Sequence, residues 1–296
     1  MKRSEEDRVE PGAVDGDAGP QSRHVRTFRW WMPLAAVGSL LLIGAGVIVV
    51  LFITRENPDA RPVGEAVEEF RSSTSQRPDP DALPGELSIG VYRLEGEGKE
   101  AISIPPVEQA DGSTMPMTIA AGTDGCRTIR IDYNEAHWQN WSLCPEGRTL
   151  METGGLTFQR WDFGSIVVEN LSTFVCDPAV PFVVLDAEPG DVFDRSCTGT
   201  NDQIPGSTVS SGKLSVVGIE SIDVDGEAIE AMHVRLHNDL TGAQTGTEDL
   251  ELWFSTTDGL PLRGVRSVTV DSDSPIGTIT YTEEGTWQLS STVPQR

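Results

Sequence analysis

Residues 126–144 read CRTIRIDYNEAHWQNWSLC. Polar and apolar side chains alternate on both sides of Asn134-Glu135-Ala136, which reads as a short loop. Successive residues of a strand point to opposite faces, so this pattern predicts a β-hairpin of strands 126–133 and 137–144. Setting Tyr133 opposite His137 places Ile129 opposite Trp141, Arg130 opposite Asn140, Thr128 opposite Ser142 and Cys126 opposite Cys144. One face then carries Ile129, Ile131, Tyr133, Trp141 and Leu143, and the other is mostly polar. A slip of one residue would mix the two faces, so the pattern specifies the register. Directly opposed strand residues lie about 4.5–5.5 Å apart, within reach of a disulfide. By elimination, Cys176 pairs with Cys197. No Cys-x-x-Cys pair is present, so both bridges are expected to be structural rather than redox-active or zinc-binding. Two bridges point to an oxidising, extracytoplasmic compartment.

The same alternation extends along most of the chain. Strands are expected at 87–94, 115–121, 126–133, 137–144, 156–162, 165–175, 180–185, 191–198, 212–224, 228–238, 248–255, 261–271 and 276–290. Asp124-Gly125, Pro189-Gly190, Asp225-Gly226 and Asp258-Gly259 supply turns between them. Residues 85–292 therefore read as one mainly antiparallel β domain, long enough for a real core.

The N-terminal part differs. Trp30 to Ile53 is a run of 24 residues without charge, WWMPLAAVGSLLLIGAGVIVVLFI. A helix of that length spans about 36 Å, against about 30 Å for a bilayer core. The run is longer than a signal-peptide core and ends without a small-residue cleavage site, so an uncleaved transmembrane helix is expected. Arg23, Arg26 and Arg29 precede it and Arg55 and Arg61 follow, which orients the N-terminus toward the cytoplasm. Residues 1–29 then form a disordered cytoplasmic tail, and 54–84, rich in proline and serine, a linker to the extracytoplasmic domain. Within that linker Gly64–Arg71 has the composition of two helical turns. The expected partner of Trp30–Ile53 is a lipid bilayer in the plasma membrane.

Charge narrows the function classes. The chain has 22 basic and 46 acidic residues in 296, a formal net charge of −24. Phosphate backbones need a basic footprint, so a nucleic-acid partner is not expected.

Motifs for chemistry are absent from the sequence. His233 and His237 share a strand face with Arg235, where residues four apart lie about 13 Å apart, too far for one metal. Asp223-Val224-Asp225-Gly226 reads as a hairpin turn, and Asp271-Ser272-Asp273 lacks the ligand spacing of a calcium loop. His137 is the one histidine placed to serve as a base. No nucleophile elbow, metalloprotease motif, P-loop or dinucleotide fingerprint occurs, so no enzyme, cofactor or metal site is expected. Asn140-Trp141-Ser142 and Asn170-Leu171-Ser172 match the glycosylation pattern. Trp138, Trp141, Trp161, Trp253 and Trp287 fall on expected strands.

Leu250-Glu251-Leu252-Trp253-Phe254-Ser255, followed by Thr256-Thr257-Asp258-Gly259-Leu260-Pro261-Leu262-Arg263, resembles the strand pair of LolA/LppX-like envelope lipoprotein domains. The stretch from Asp124 to Cys144 looks like actinobacterial single-pass membrane-anchored proteins. This resemblance implies a curved antiparallel half-barrel whose concave side holds acyl chains or serves as an extracytoplasmic sensor. The chain departs from the family in lacking a lipoprotein cysteine. The function expected from it is a membrane-tethered module that binds an apolar or lipid ligand in the cell envelope. The alternative is a structural or sensor domain that meets an envelope protein without a small-molecule ligand.

Overall fold

A computed structural model of the chain describes residues 57–73, 87–164, 166–275 and 277–296. The expected tail 1–29 and membrane span Trp30–Ile53 lie outside the described residues. Among those described, no helix is long and apolar enough to cross a membrane.

Among the described residues, thirteen strands follow one helix, α1 (Val63–Ser72). They are β1 (Gly90–Ser103), β2 (Pro106–Ala110), β3 (Thr114–Ala121), β4 (Arg127–Asn134), β5 (His137–Glu146), β6 (Thr149–Asp162) and β7 (Val167–Val184). Then come β8 (Val192–Asn201), β9 (Ser207–Val224), β10 (Glu227–Gly242), β11 (Gln244–Ser255), β12 (Pro261–Ser274) and β13 (Gly277–Leu289). From β3 to β13 each strand pairs antiparallel with the next, and β1 pairs with β3 over its first half and with β2 over its second. The two ends of the sheet then meet. Nine residue pairs, from Leu94 opposite Leu289 to Ile102 opposite Tyr281, join β1 to β13. The ring is a closed barrel of 12 strands, with β2 flanking the seam.

The expected half-barrel is therefore corrected, among the described residues, to a closed barrel with one short helix, while the transmembrane helix expected at Trp30–Ile53 lies outside them. The physical reason lies in β1. Leu94-Glu-Gly-Glu-Gly-Lys-Glu100 reads as a charged, glycine-rich loop, so the expected strand stopped at residue 94. In the fold β1 continues to Ser103, and it is this continuation that pairs with β13. An open sheet would leave two rows of unpaired backbone groups, whereas closure leaves none along the seam.

The glycines that obscured β1 also let the seam close. Trp287 of β13 faces Gly96 on one side and Gly264 on the other. Its indole lies where a Cβ on Gly264 would sit, with ring atoms 2.4–2.7 Å from that position. One register step higher, Gly285 faces Gly98 and Arg266, and the Arg266 guanidinium lies about 3.0 Å from where a Gly285 Cβ would be. The Trp287 ring thus packs over Gly264 of β12 beside the seam, and Arg266 extends over Gly285 toward it.

The lower half of the barrel, where β1 begins, is solid. Leu94, Met115, Met117, Ile129, Ile131 and Leu143 fill it from one side. Leu214, Met232, Val234, Phe254, Leu262 and Leu289 fill it from the other. The Phe182 and Phe254 rings meet edge-on within it, 5.7 Å apart. Helix α1 lies along β1 and β3 and buries Ala66, Val67 and Phe70. Arg61, just before it, pairs with the buried Asp132 of β4. Residues 57–73 of the expected linker are thus docked on the barrel, and the helix expected at Gly64–Arg71 is one residue longer at each end. Thr54–Arg296 forms one compact unit that contains this core and every described element.

The hairpin register expected between Arg127 and Asp132 is the one observed, with Ile129 opposite Trp141 and Arg130 opposite Asn140. At the tip a bulge shifts it, so His137 faces Asn134 rather than Tyr133. Both expected disulfides, Cys126–Cys144 and Cys176–Cys197, are formed. Strands expected separately at 165–175 and 180–185 are one strand, β7, whose pairing with β6 is interrupted between Val175 and Val180. Strand β2 had no counterpart in the sequence reading.

The seam analysis yields a stability test. Gly264→Ala places a methyl group inside the Trp287 ring and is expected to destabilise by about 1–3 kcal/mol, as for overpacking of a filled core. Gly218→Ala, where a Cβ meets nothing within 4 Å, serves as the control. Urea denaturation of the two variants checks this, and equal midpoints would contradict the account of the seam.

Candidate functional site

Above the apolar half, the interior changes character. Period-2 alternation brings Arg266 onto the same face as Leu262, Val268 and Val270 of β12. It likewise puts Glu283 in line with Tyr281, Trp287 and Leu289 of β13, and Glu248 in line with Leu250, Leu252 and Phe254 of β11. Arg195 of β8 and Glu152 of β6 enter from the far side. These residues, with Glu100 of β1 and Asp111 beyond β2, form a polar layer across the barrel.

The layer is held by charge-assisted hydrogen bonds. Arg266 donates to Glu283 through Nε and to Asp111 through Nη2, and its guanidinium lies 3.5 Å from the centre of the Tyr133 ring. Arg195 donates to Glu152 and to the Pro181 carbonyl. Asn238 donates to Glu248 at 2.9 Å. The Tyr281 hydroxyl lies 2.7 Å from Glu283 Oε2 and 2.9 Å from Glu100 Oε2. Gln109 and Gln159 also donate to Glu100.

Five carboxyl groups share this layer with two guanidiniums, so protons must offset part of the excess. Burial, then the charge of Glu283, pushes Glu100 up to about 8. Below that pH Glu100 carries a proton and can donate it to Tyr281, which then donates to Glu283. Burial raises Asp111, Glu152 and Glu248 as well. Burial acts upward on Glu283 too, but Arg266, followed by His137, outweighs it and holds Glu283 below the usual range. Burial pushes His137 down to about 4 against the pull of Glu283, so it is neutral at neutral pH. Its Nδ1 lies 3.4 Å from Glu100 and its Nε2 4.0 Å from Glu283, and neither nitrogen makes a hydrogen bond.

Over this floor lies a cavity of about 740 Å³. Gln203, Ile204 and Pro205 of the β8–β9 loop, Ser274 at the end of β12 and Pro275 after it stand at its mouth. Its wall has two sides. Leu236, Leu240, Leu250, Val268, Val270 and Ile279, from β10 to β13, make one apolar. Gln139, Thr157, Asn170, Ser172 and Ser210, from β5 to β9, make the other richer in amides and hydroxyls, with Val168 and Phe174 among them, while Asn238, Gln244 and Ser272 interrupt the first. Trp141 and Trp161 also line it, and Trp161 meets Tyr281 edge-on.

The residues singled out in the sequence fall in several places. Met232, Val234 and Leu236 face the interior, while His233 and His237 stand on the outer face. His233 stacks on Trp253 at 4.1 Å and bonds Glu220, and His237 bonds Asp249, so the two do not converge. Asp225 and Gly226 both have positive φ and form the β9–β10 turn. Asp271 and Asp273 accept hydrogen bonds from Thr280 and Thr278. Trp287 is core, and Trp138 stacks with Phe158 and Arg130. Asn170 lines the cavity and donates to Gln159. Glu152 lies beside Cys176 and Cys197, whose sulfurs are joined to each other. Arg195, Arg266, Glu152, Glu248 and Glu283 escaped the sequence reading. Their signal is a charged residue at an inward position of an otherwise apolar alternating series.

No family model matches the chain, and neither a curated protein nor a solved structure matches it.

The proton on Glu100 is measurable through stability. Its folded value of about 8 exceeds the usual carboxylate value of about 4.3, so the folded state holds an extra proton between them. That contribution is complete below about 4.3 and is lost as pH rises toward 8. His137 acts oppositely, adding stability as pH rises from about 4 to about 6.5. Glu100 therefore dominates this pair between about pH 6.5 and 8. Glu100→Gln is expected to gain up to about 2 kcal/mol on the wild type across that window. Parallel pH–stability curves from chemical denaturation would refute the protonated carboxyl.

Proposed function

We propose that this barrel is a binding module for an amphipathic small molecule, admitted through the mouth between the β8–β9 and β12–β13 loops. The observation that carries the reading is the cavity itself. Half of the barrel is packed to a solid core, and the other half leaves about 740 Å³ open over a charged floor. That volume is within the range of small-molecule sites, and the combination of apolar wall and a few fixed polar groups is their usual chemistry. A protein whose barrel served only as a scaffold would gain stability by filling this space with side chains.

The disulfides favour an oxidising compartment, and the uncharged run Trp30–Ile53 supports placement of the module at the surface of a bilayer. A ligand drawn from the cell envelope fits both.

The test uses residues 54–296, the compact unit that holds the whole described core. The neutral apolar dye N-phenyl-1-naphthylamine is expected to bind saturably at one site. Val268→Trp fills the cavity from its apolar wall and is expected to weaken that binding by about tenfold or more while leaving the unfolding midpoint within about 0.5 kcal/mol of the wild type. Mass spectrometry after organic extraction identifies any molecule retained from the producing cell. Absence of saturable dye binding, with nothing extracted, would overturn the reading.

A further inference from the structure

The cavity floor has a feature that bears on what kind of head group it receives. Arg195 and Arg266 are 6% and 4% exposed, and both line the cavity. Each is anchored by carboxylates, yet Arg195 Nε and Arg266 Nη1 are buried with no hydrogen-bond partner. A buried unsatisfied donor is costly, and charged groups more so, so these two N–H groups ask for an acceptor. Glu248 stands in the same floor with one partner, Asn238, and Glu152 with one side-chain partner, Arg195. Carboxylate oxygens accept several hydrogen bonds, so the floor also has acceptor capacity to spare.

Charge restricts what can satisfy both. A carboxylate or phosphate head would answer the arginines but would be set against Glu152, Glu248 and Glu283, in a layer where five carboxyls already share two guanidiniums. An ammonium head would answer the acids, but protons already offset part of their excess and the two arginines face it. Like charges in a site screened from bulk water are strongly disfavoured. A hydroxyl both donates and accepts without net charge. The polar wall continues the same chemistry: Gln139, Thr157, Asn170, Ser172 and Ser210 are all uncharged hydrogen-bonding side chains. Trp141, Trp161, Val168 and Phe174 supply apolar faces beside them, and the opposite wall from β10 to β13 is largely aliphatic, with Asn238, Gln244 and Ser272 as its polar members.

We infer that the ligand is a neutral amphiphile with a hydroxyl-rich, glycosyl-type head, seated head-down on the Arg195–Glu248–Arg266 floor with its apolar part against the β10–β13 wall. This rests on the reading of the barrel as a binding module and adds the head-group class and the orientation. The head enters first because the charged layer is deep and Val270 and Ile279 line the wall above it. Hydroxyls that replace the missing partners of the two arginines make the site selective as well as receptive, since analogues lacking them leave the donors unpaired.

The test titrates residues 54–296 with three probes of equal chain length, each below its micelle concentration: octyl β-glucoside, octanoate and octyltrimethylammonium. Isothermal titration is expected to give the glucoside an affinity at least about tenfold tighter than either charged probe, the level at which hydrogen-bonding sites discriminate. Glu248→Gln keeps an acceptor and removes a negative charge, so it is expected to narrow the gap between octanoate and the glucoside by about threefold or more. If octanoate or the ammonium probe binds tightest, or if none binds while the apolar dye still does, the head-group assignment is overturned and the binding module stands. If the dye also fails, the binding-module reading falls with it. Glucoside affinity matched by both charged probes overturns the assignment too, because the floor then exerts no selection.

Discussion

The β1–β13 ladder is the constraint on which the rest of this structure depends. Without it the sheet is a long curved meander with two open edges and a concave face in water. With it, nine residue pairs shut the ring and convert that face into an interior. The closure needs residues that allow close approach, and Gly96, Gly98 and Gly285 lie in the ladder itself, with Gly264 beside it on β12. They leave room for Trp287 low in the barrel and for Arg266 above it. The seam therefore fixes both the plug of the apolar half and the anchor of the polar layer.

Arg266 in turn divides the barrel. A guanidinium at this depth must be paired, and Asp111 and Glu283 pair it from opposite sides. Such buried ion pairs contribute little net stability, because desolvation offsets most of their attraction. Their consequence here is geometric. The layer they form cannot be covered by close-packed aliphatic side chains without leaving polar atoms unsatisfied, so the tight core ends beneath it. Above it the strands continue for several residues, long enough to enclose space but lined too sparsely to fill it. The lower half holds the fold together, and the upper half is free to present a cavity.

The sequence disclosed the local features and concealed the closure. The hairpin 126–144 was legible because period-2 alternation and two opposed cysteines point to the same register. The β9–β10 turn was legible because Asp-Gly suits two positive φ angles in succession. Closure was not legible because Glu95–Lys99 carries the composition of a loop; only pairing with β13 makes a strand of it. The break in β7 misled for a related reason: Asp177-Pro178 looks like the end of a strand, whereas here the strand resumes at Val180 after an irregularity spanned by the Cys176–Cys197 bridge. The polar layer was written in the alternation, as single charges within apolar series, but a lone Arg or Glu on a strand is read as a surface residue until the barrel closes around it.

The two disulfides have a physical logic within this division. One ties β4 to β5 and the other β7 to β8, so both lie in the same arc of the barrel. That is the arc whose upper interior carries amides and hydroxyls, and where Cys197 itself lines the cavity. Apolar burial supplies most of the free energy that holds a wall together, and this side of the cavity has less of it. On the opposite arc, β10 to β13, aliphatic side chains line the cavity and strand pairing is long and nearly uninterrupted. The Cys176–Cys197 link stands at the cavity, whereas Cys126–Cys144 closes the end of the β4–β5 hairpin beside Leu143 of the solid core. Both restrict the chain's unfolded conformations, and the first stiffens the polar wall without filling the space in front of it. A cavity with one wall largely polar and cross-linked at Cys176–Cys197 and the other largely apolar and continuously paired can stay open without its strands collapsing inward.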